Sequence, residues 1–355
     1  TVARTAAAHG AVVRTSTSVV GLLREGDRVV GARVRDLENG QEREVRAKVV
    51  IGCTGVWSDE LHRMAGVDSP FRVRASKGVH LLVPRSRIDS DSGLILRTEK
   101  SVLFVIPWGE HWVLGTTDTP WDLELEHPAA SRADIDYILE RVNAVLANPL
   151  TDEDIVGVYA GLRPLLEPEL STTSTTSTTR ISREHQVARP APGLVSVAGG
   201  KYTTYRVMAA DAVDEALAAM GRRVIPSVTE STALVGAEGF PRTRNRVPVT
   251  ARQFGLSQAA VDRMVLRYGS LVEEVLAPIA QQPHLALPVP GAPQHLQAEI
   301  VYAVTHEGAL HLDDLLGRRT RISVDTAHRG VESARAVAEL VAPYLGGTPM
   351  RDESE

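Results

Sequence analysis

The residues best suited to chemistry lie at 195–206, where an apolar run ends in two glycines and leads into a lysine. The run 195–198 predicts a strand, Gly199 and Gly200 predict a tight turn, and a helix is expected to begin near Lys201. A strand, turn and helix in this order aim backbone N–H groups and the positive end of the helix dipole at one point. That point would suit an anion, or a group that becomes anionic during a reaction. An ordinary turn, in which the glycines only permit close packing, is the alternative.

A second glycine turn follows the apolar run 48–51. Gly52 and Gly55 flank Cys53 and Thr54 directly after a predicted buried strand. Glycines at such a turn let a ligand approach the backbone closely. A plain turn with a buried cysteine explains the same residues equally well.

Basic residues near predicted turns form a third group, namely His80 with Lys77, Arg163, and Arg183. Solvated surface charge is the simplest interpretation of each of them. Arg163 fits that interpretation least, because it lies between an apolar run and the rigid Pro164.

Composition limits the classes of protein that need to be considered. The chain has 355 residues, 43% of them hydrophobic and 23% charged, which is ordinary globular usage, and its length favours two domains. A net charge of −5 argues against a nucleic-acid partner. The single cysteine excludes an internal disulfide framework and a multi-cysteine metal site, so we predict no metal. A cytoplasmic protein without a membrane-spanning helix is expected.

The element pattern changes along the chain. A short strand at 11–14, an antiparallel meander over 17–51, and strands at 72–83, 93–106 and 111–117 are predicted. Ser131 and Asp134 match a capping box that begins a helix. The Ser/Thr run 171–179 predicts a mobile surface loop, and the pattern from about 250 onward is helical.

Several longer motifs occur in one order along nearly the whole chain. Through them the sequence resembles the flavin-dependent glycerol-3-phosphate dehydrogenases of the bacterial aerobic type. The matching stretches are KVVIGCTGVWSDEL, SKGVHLLVP, VLFVIPWGEHWVLGTTDTPW, YAGLRPLL, ISREHQV, VAGGKYTTYRVMAADAVDEAL and DDLLGRRTRIS.

The resemblance implies an α/β (α+β) fold in three parts. These are a partial FAD-binding, Rossmann-like domain at 1–65 and 190–224, a β-sheet substrate domain at 66–189 and a helical C-terminal domain at 225–355. Family members begin with a βαβ unit that carries a glycine fingerprint, and the sequence contains no G-x-G-x-x-G. We therefore expect the chain to begin within the FAD domain and, alone, to bind FAD weakly or not at all.

The resemblance also implies a role for each matching residue. The expected contacts to FAD are Gly52, Thr54 and Gly55 near its nucleotide half, and Gly199, Gly200, Lys201 and Thr203 beside the flavin. The expected catalytic residues are His80, Lys201, Arg163 and Arg183. In this scheme the two arginines hold a phosphate, and His80 accepts the proton of the C2 hydroxyl.

The implied reaction is oxidation of sn-glycerol 3-phosphate to dihydroxyacetone phosphate by hydride transfer to FAD. Electrons would pass to a quinone, reached by peripheral contact with the inner face of the cell membrane, and a homo-oligomer stays open. Three alternatives remain: a glycerol-3-phosphate oxidase, an amino-acid or amine oxidase of the same superfamily, and a cofactor-free fragment.

Overall fold

The computed structural model describes residues 1–98, 102–167 and 184–345. The chain divides into two compact units. The mixed unit comprises Ser16–Asp154 and Val158–Ser231, and the helical unit comprises Thr1–Thr15, Ile155–Gly157 and Thr232–Glu355. The predicted loop 171–179 and Arg183 lie outside the described residues.

Most of the strands belong to the mixed unit and most of the helices to the helical unit. In chain order, the strands are β1 (Thr17–Glu25), β2 (Arg28–Asp36), β3 (Glu42–Arg46), β4 (Val50–Gly52), β5 (Arg72–Pro84), β6 (Leu94–Arg97), β7 (Val102–Trp108), β8 (His111–Gly115), β9 (Thr119–Pro120), β10 (Gly157–Glu167), β11 (His185–Ala191), β12 (Leu194–Gly199), β13 (Pro288–Val289) and β14 (Ala292–Leu296). The helices are α1 (Val2–Ala8), α2 (Ser58–Ala65), α3 (Arg132–Asn143), α4 (Tyr205–Ala219), α5 (Phe240–Asn245), α6 (Val247–Phe254), α7 (Gln258–Tyr268), α8 (Val272–Leu276), α9 (Gln297–Glu307), α10 (Ile322–Asp325) and α11 (Val331–Val341).

A six-stranded sheet is the largest element of the mixed unit. Its strands lie in the order β10-β5-β8-β7-β6, and β9 pairs with β5. Successive side chains of a strand point to opposite faces. The odd-numbered side chains of β5 face helix α3, and Val79, Leu81 and Val83 are fully buried there. The even-numbered side chains, including His80, therefore lie on the opposite face.

Lys77 lies on the α3 face of β5 and is buried in an ion pair. Its Nζ is 2.7 Å from Asp134 Oδ2, and both side chains are less than a tenth exposed. Asp134 also completes the predicted capping box with Ser131 at the start of α3. Burial alone would raise the pKa of Asp134, but hydrogen bonds from Lys77 and Ser131 outweigh it and keep that pKa below its usual value. Lys77 is thus an internal charge, not the surface charge expected from the sequence.

A smaller sheet, β11-β12-β4, contains a parallel pair. Strands β12 and β4 run parallel, with Ser196 opposite Gly52, so their carboxyl ends reach the same edge. His62 of α2 is buried against this pair, with Nε2 2.9 Å from Ser196 Oγ and Nδ1 2.8 Å from Ser69 Oγ. Burial lowers the pKa of His62. The neutral ring thereby fixes α2 beside the two strand ends.

The helical unit packs α5 to α11 around an apolar core with the short hairpin β13-β14. Helix α1 belongs to this unit. Arg4 Nη1 donates to Tyr302 Oη at 2.6 Å, and that hydroxyl donates to Glu274 at 2.9 Å. Within the described residues, no helix combines the length and the apolar character needed to cross a membrane.

The structure corrects several expectations. Residues 11–14 are not a strand, and the predicted strand 93–106 contains two strands, β6 and β7. The expected buried strand before Gly52 is only partly buried, because Ile51 is 38% exposed. The compact units group Thr1–Thr15 with the C-terminal helices. The division into FAD, substrate and helical domains stays a prediction.

Replacement of Lys77 by methionine should destabilise the mixed unit by about 3–5 kcal/mol, because it leaves the buried Asp134 carboxylate without its countercharge. All four tryptophans lie in this unit, so urea unfolding followed by tryptophan fluorescence reports on it directly. The exposed pair Arg46–Glu25 provides the control, and Arg46→Met should cost less than about 1 kcal/mol. Equal losses in the two variants would contradict the structural role of the buried pair.

Candidate active site

His80 lies on the face of β5 opposite α3, stacked against an aromatic ring. Its imidazole and the ring of Tyr159 on β10 are nearly parallel, with centroids 4.9 Å apart and planes inclined by 13°. Gly115 of β8 lies directly opposite His80 in the strand register. A Cβ atom at position 115 would lie 2.3 Å from His80 Cδ2, so glycine is needed there to leave room for the ring.

The surroundings of His80 favour the neutral imidazole. Burial and then the positive charge of Arg163 lower its pKa from 6.5 to about 4. The Nδ1 atom is buried and has no hydrogen-bond partner among the described residues. Buried polar atoms are rarely left unpaired. His80 therefore offers a nitrogen that a bound ligand could engage.

Arg163 lies on the same face as Tyr159, four residues farther along β10. Its Nη2 donates to Thr116 Oγ1 at 2.9 Å and its Nη1 donates to the Thr117 carbonyl at 3.3 Å. Gly78 of β5 makes room for the guanidinium, because a Cβ there would lie 2.2 Å from Arg163 Nη2. The side chain remains 27% exposed. Arg163 thus lies within a strand, and two neutral oxygens contact its partly exposed guanidinium.

The glycines singled out in the sequence lie at the carboxyl ends of β4 and β12. Gly199 and Gly200 have φ values of +74° and +80°. Added Cβ atoms would lie 2.7 Å from Leu166 Cδ1 and 2.5 Å from Met208 Sδ respectively. Packing alone therefore requires both glycines, as it does Gly52, where a Cβ would lie 2.1 Å from Leu61 Cδ2.

The turn after Gly52 differs from these positions, because it opens onto free space. Gly55 has a φ of +57°, and nothing among the described residues lies within 4 Å of the Cβ it lacks. The adjacent Thr54 Oγ1 is buried and has no partner among those residues. An unpaired buried hydroxyl beside an open glycine turn is the arrangement expected where a ligand approaches the backbone.

Lys201 and Thr203 follow β12 and are both exposed. The predicted helix does not begin at Lys201. A single 3-10 turn, Tyr202–Thr204, comes first, and α4 begins at Tyr205. Lys201 precedes that turn, and its carbonyl accepts the Thr204 N–H at 3.0 Å.

The structure thus collects the predicted site residues into two groups. His80 and Arg163 share one face of the large sheet, and the other described residues lie around the ends of β4 and β12. A small apolar cluster of Phe71, Leu166 and Ala198 links β10 to β12. Arg183 lies outside the described residues, so it joins neither group.

The sequence patterns did not indicate the residues that contact or make room for His80 and Arg163. They are Tyr159, Gly78, Gly115, Thr116 and Thr117. The alternation of a single strand over 157–167 would have put Tyr159 and Arg163 on one face. The sequence holds no comparable local signal for the partners on β5 and β8, because pairing between strands sets them.

Acidification should destabilise the mixed unit through His80. The pKa of His80 is about 4 in the folded protein, below the unfolded value of about 6.5. The contribution of His80 to the free energy of unfolding is therefore fully present above about pH 6.5. It is lost as the pH falls toward 4, by up to about 3 kcal/mol. Urea unfolding followed by tryptophan fluorescence at several pH values measures this loss. His80→Gln should remove His80's share of the dependence, whereas replacing the exposed His127 with glutamine should leave it as in the wild type. A wild-type slope in His80→Gln would show that other groups cause the acid sensitivity.

Comparisons with known proteins agree with this architecture. Residues 1–220 match the family model for FAD dependent oxidoreductases, and residues 227–351 match the model for the C-terminal domain of alpha-glycerophosphate oxidase. The chain is also similar in structure to glycerol-3-phosphate dehydrogenase from Bacillus halodurans complexed with FAD. The TM-score is 0.82 at 27% identity, over 97% of this chain and 67% of that one. This likeness confirms the predicted α/β fold with a helical C-terminal part.

Curated relatives carry the same name. Glycerol-3-phosphate dehydrogenase 2 of Mycobacterium tuberculosis H37Rv is 59% identical over 348 residues, which is 98% of this chain and 59% of the relative. The human mitochondrial glycerol-3-phosphate dehydrogenase is 32% identical over 359 residues, covering 97% of this chain and 48% of the relative. The chain therefore spans about half to three-fifths of the length of these relatives. Because one family model covers most of its residues, the chain belongs to the FAD-dependent oxidoreductase family.

Proposed function

We propose that this protein oxidises sn-glycerol 3-phosphate to dihydroxyacetone phosphate with FAD as the hydride acceptor. The observation that carries the proposal is that His80 and Arg163 lie on the same face of the large sheet, close enough for the Arg163 charge to lower the His80 pKa. A neutral imidazole with an unpaired nitrogen can accept a proton, and a partly exposed guanidinium can hold an anion. The two relatives named above are both glycerol-3-phosphate dehydrogenases, which supports this choice of substrate.

FAD fits the residues at the ends of β4 and β12. Dinucleotides bind at the carboxyl ends of parallel strands, and the unpaired Thr54 Oγ1 and the open space at Gly55 lie at such an end. When bound, FAD supplies the acceptor for the electron pair of the C2–H bond, a role that amino-acid side chains do not fill. We assign Gly52, Thr54 and Gly55 to its nucleotide half. Gly199, Gly200, Lys201 and Thr203 are assigned to its flavin side, where the Lys201 ammonium would stabilise developing negative charge.

Arg163 is the proposed phosphate-binding residue. Thr116 and Thr117 hold its guanidinium through neutral oxygens. Asp118 Oδ1 lies 3.9 Å from Arg163 Nη1, and the Arg163 side chain is 27% exposed. A planar guanidinium can bind two phosphate oxygens at once and thereby fix the position of the carbon that reacts. We assign Arg183 as a second phosphate ligand from the family motif alone.

His80 is the proposed base for the C2 hydroxyl. With a pKa of about 4 it is neutral near pH 7, so a ring nitrogen can take the proton. The charge of Arg163 is one cause of this low pKa, and a dianionic phosphate on Arg163 would offset that charge. Substrate binding would then raise the pKa of His80 and make it a stronger base when the substrate is present.

The final electron acceptor defines two versions of the proposal. A quinone at the inner face of the cell membrane, reached by peripheral contact, is the first version, and a homo-oligomer is compatible with it. Molecular oxygen is the second version. The match of residues 227–351 to the C-terminal domain of alpha-glycerophosphate oxidase favours testing it. Oxygen uptake during glycerol 3-phosphate oxidation, measured with and without an added quinone, distinguishes the two.

Substitution of Arg163 tests the assignment of the substrate phosphate. Loss of one charge-assisted hydrogen bond should cost about 1.5–3 kcal/mol, so Arg163→Met should lower kcat/KM for glycerol 3-phosphate about 10- to 150-fold. Arg163→Lys should also be impaired, because lysine lacks the planar fork. Turnover of unphosphorylated glycerol should barely change in either variant, because glycerol has no phosphate for Arg163 to hold.

The exposed Arg97 on β6 provides a matched control, and Arg97→Met should behave as the wild type. Equal loss of both activities in the Arg163 variants would mean that Arg163 serves folding or flavin placement. A wild-type enzyme that oxidises an amino acid in preference to glycerol 3-phosphate would support the amine-oxidase alternative.

The coupling between His80 and Arg163 can be measured without turnover. Saturating inorganic phosphate should raise the pKa of His80. NMR of the protein carrying ¹³C-labelled histidine follows this pKa, and His80→Gln identifies the His80 signal. The rise should be absent in Arg163→Met, in which the pKa should already lie above about 4 without phosphate. The same phosphate response in both proteins would contradict phosphate binding at Arg163.

A further inference from the structure

Tyr159 has a defined spatial relation to both proposed functional side chains. It shares one face of β10 with Arg163, and these two residues lie over His80 and Gly78 of the neighbouring strand β5. The Tyr159 and His80 rings are separated by 4.9 Å between centroids and inclined by 13°. This near-parallel stack covers one face of the imidazole.

Gly115 limits the imidazole from the strand on the other side of β5. It pairs with His80, and the position of its missing Cβ is only 2.3 Å from His80 Cδ2. The His80 ring can pack against the backbone of β8 only because residue 115 has no side chain. Between the Tyr159 ring and the Gly115 backbone the imidazole has little freedom to turn about its side-chain bonds.

We propose that Tyr159 is a positioning residue that fixes the plane of the His80 imidazole, so that Nδ1 is presented to the C2 hydroxyl of glycerol 3-phosphate. The proposal rests on the function proposed above. Nδ1 is buried and lacks a partner among the described residues, so no hydrogen bond to them from that atom sets the ring orientation. The stack supplies the constraint instead.

The stack also controls the water around His80. Tyr159 is itself 39% exposed, so its outer side faces solvent while its inner side covers the imidazole. An aromatic face on its own favours a cation, so its direct electrostatic effect would raise the pKa of His80. The pKa is instead lowered to about 4, and burial is the larger cause. We therefore assign to Tyr159 a share of the burial that lowers this pKa.

Among the described residues, one charged group is known to act on the His80 pKa. Arg163 on β10 lowers its pKa. Asp118, in the segment after β8, lies 3.9 Å from Arg163 and accepts a hydrogen bond from Ser76 of β5. Gly115 brings no charge from β8 itself. Removal of the Tyr159 ring should therefore let water reach the imidazole without changing the charges that face it.

NMR titration of His80 in the chain carrying ¹³C-labelled histidine tests the proposal. In Tyr159→Ala the pKa of His80 should rise from about 4 to above about 5, because burial is its main cause. Tyr159→Phe retains the stack and should keep the wild-type value. Tyr159→Leu keeps an apolar side chain over the imidazole but loses the planar stack, so the pKa should stay nearer the wild-type value while kcat still falls. It provides a second variant should Tyr159→Ala fail to fold. Val158, also 39% exposed, points to the opposite face of β10, so Val158→Ala should leave the pKa unchanged.

Kinetics supply the second measurement. Misplacing the base should lower kcat for glycerol 3-phosphate about 10- to 100-fold in Tyr159→Ala while KM changes little, because Arg163 is intact. Tyr159→Phe should restore kcat, and the acidic limb of its pH profile should coincide with that of the wild type. Tyr159→Ala with wild-type kcat and a wild-type His80 pKa would overturn the proposal. A His80 pKa that falls in Tyr159→Ala would also overturn it, since the ring would then act as a cation partner.

The two measurements separate this proposal from the proposed function. A protein that does not oxidise glycerol 3-phosphate, yet shows the expected rise of the His80 pKa, would refute the function and retain the positioning of His80 by Tyr159. A protein that oxidises glycerol 3-phosphate equally well with alanine at 159 would support the function and refute the positioning role.

Discussion

The arrangement of the site depends on the alternation of side chains along β5, which the buried ion pair of Lys77 and Asp134 stabilises. An ammonium group is buried at low cost only beside a countercharge, and Asp134 supplies it at the start of α3. A shift of the β5 pairing register by one residue would move Lys77 to the face that now carries His80 and would move His80 to the α3 face. The same ion pair that attaches α3 to the sheet therefore also decides which face carries His80. The packing of α3 and the placement of His80 therefore depend on the same strand register.

The face of the sheet that carries His80 depends on two glycines. Gly78 and Gly115 leave the volumes that the Arg163 guanidinium and the His80 imidazole occupy. Glycine weakens a strand, because it has no side chain to pack and loses more backbone freedom on folding. The fully buried side chains on the α3 face, such as Leu81 and Leu114, offset that cost. The face that carries His80 holds buried side chains as well, such as Leu82, and it also accommodates two large polar side chains.

Electrostatics links the two proposed roles. Arg163 and His80 are close enough for the positive charge of one to disfavour a proton on the other. A group that neutralises Arg163 relieves that effect, so anion binding and proton acceptance would be coupled without any movement of the backbone. The Tyr159 ring adds to this coupling by keeping water away from the imidazole, since water would screen the interaction.

The sequence by itself determined the features that depend on near neighbours. The capping box of Ser131 and Asp134, the helical pattern from about 250 onward and the glycine turns after β4 and β12 all lie where the local pattern predicts them. The motifs and their order along the chain were also enough to identify the family. Only the tertiary structure decided that Lys77 is buried, that Ile51 is exposed and that Tyr159 covers His80. Those facts depend on strand order, strand register and the packing of α3, which bring together residues that are far apart in the chain. A local pattern carries information about a few neighbouring residues, and it contains none about which distant strand will lie beside them.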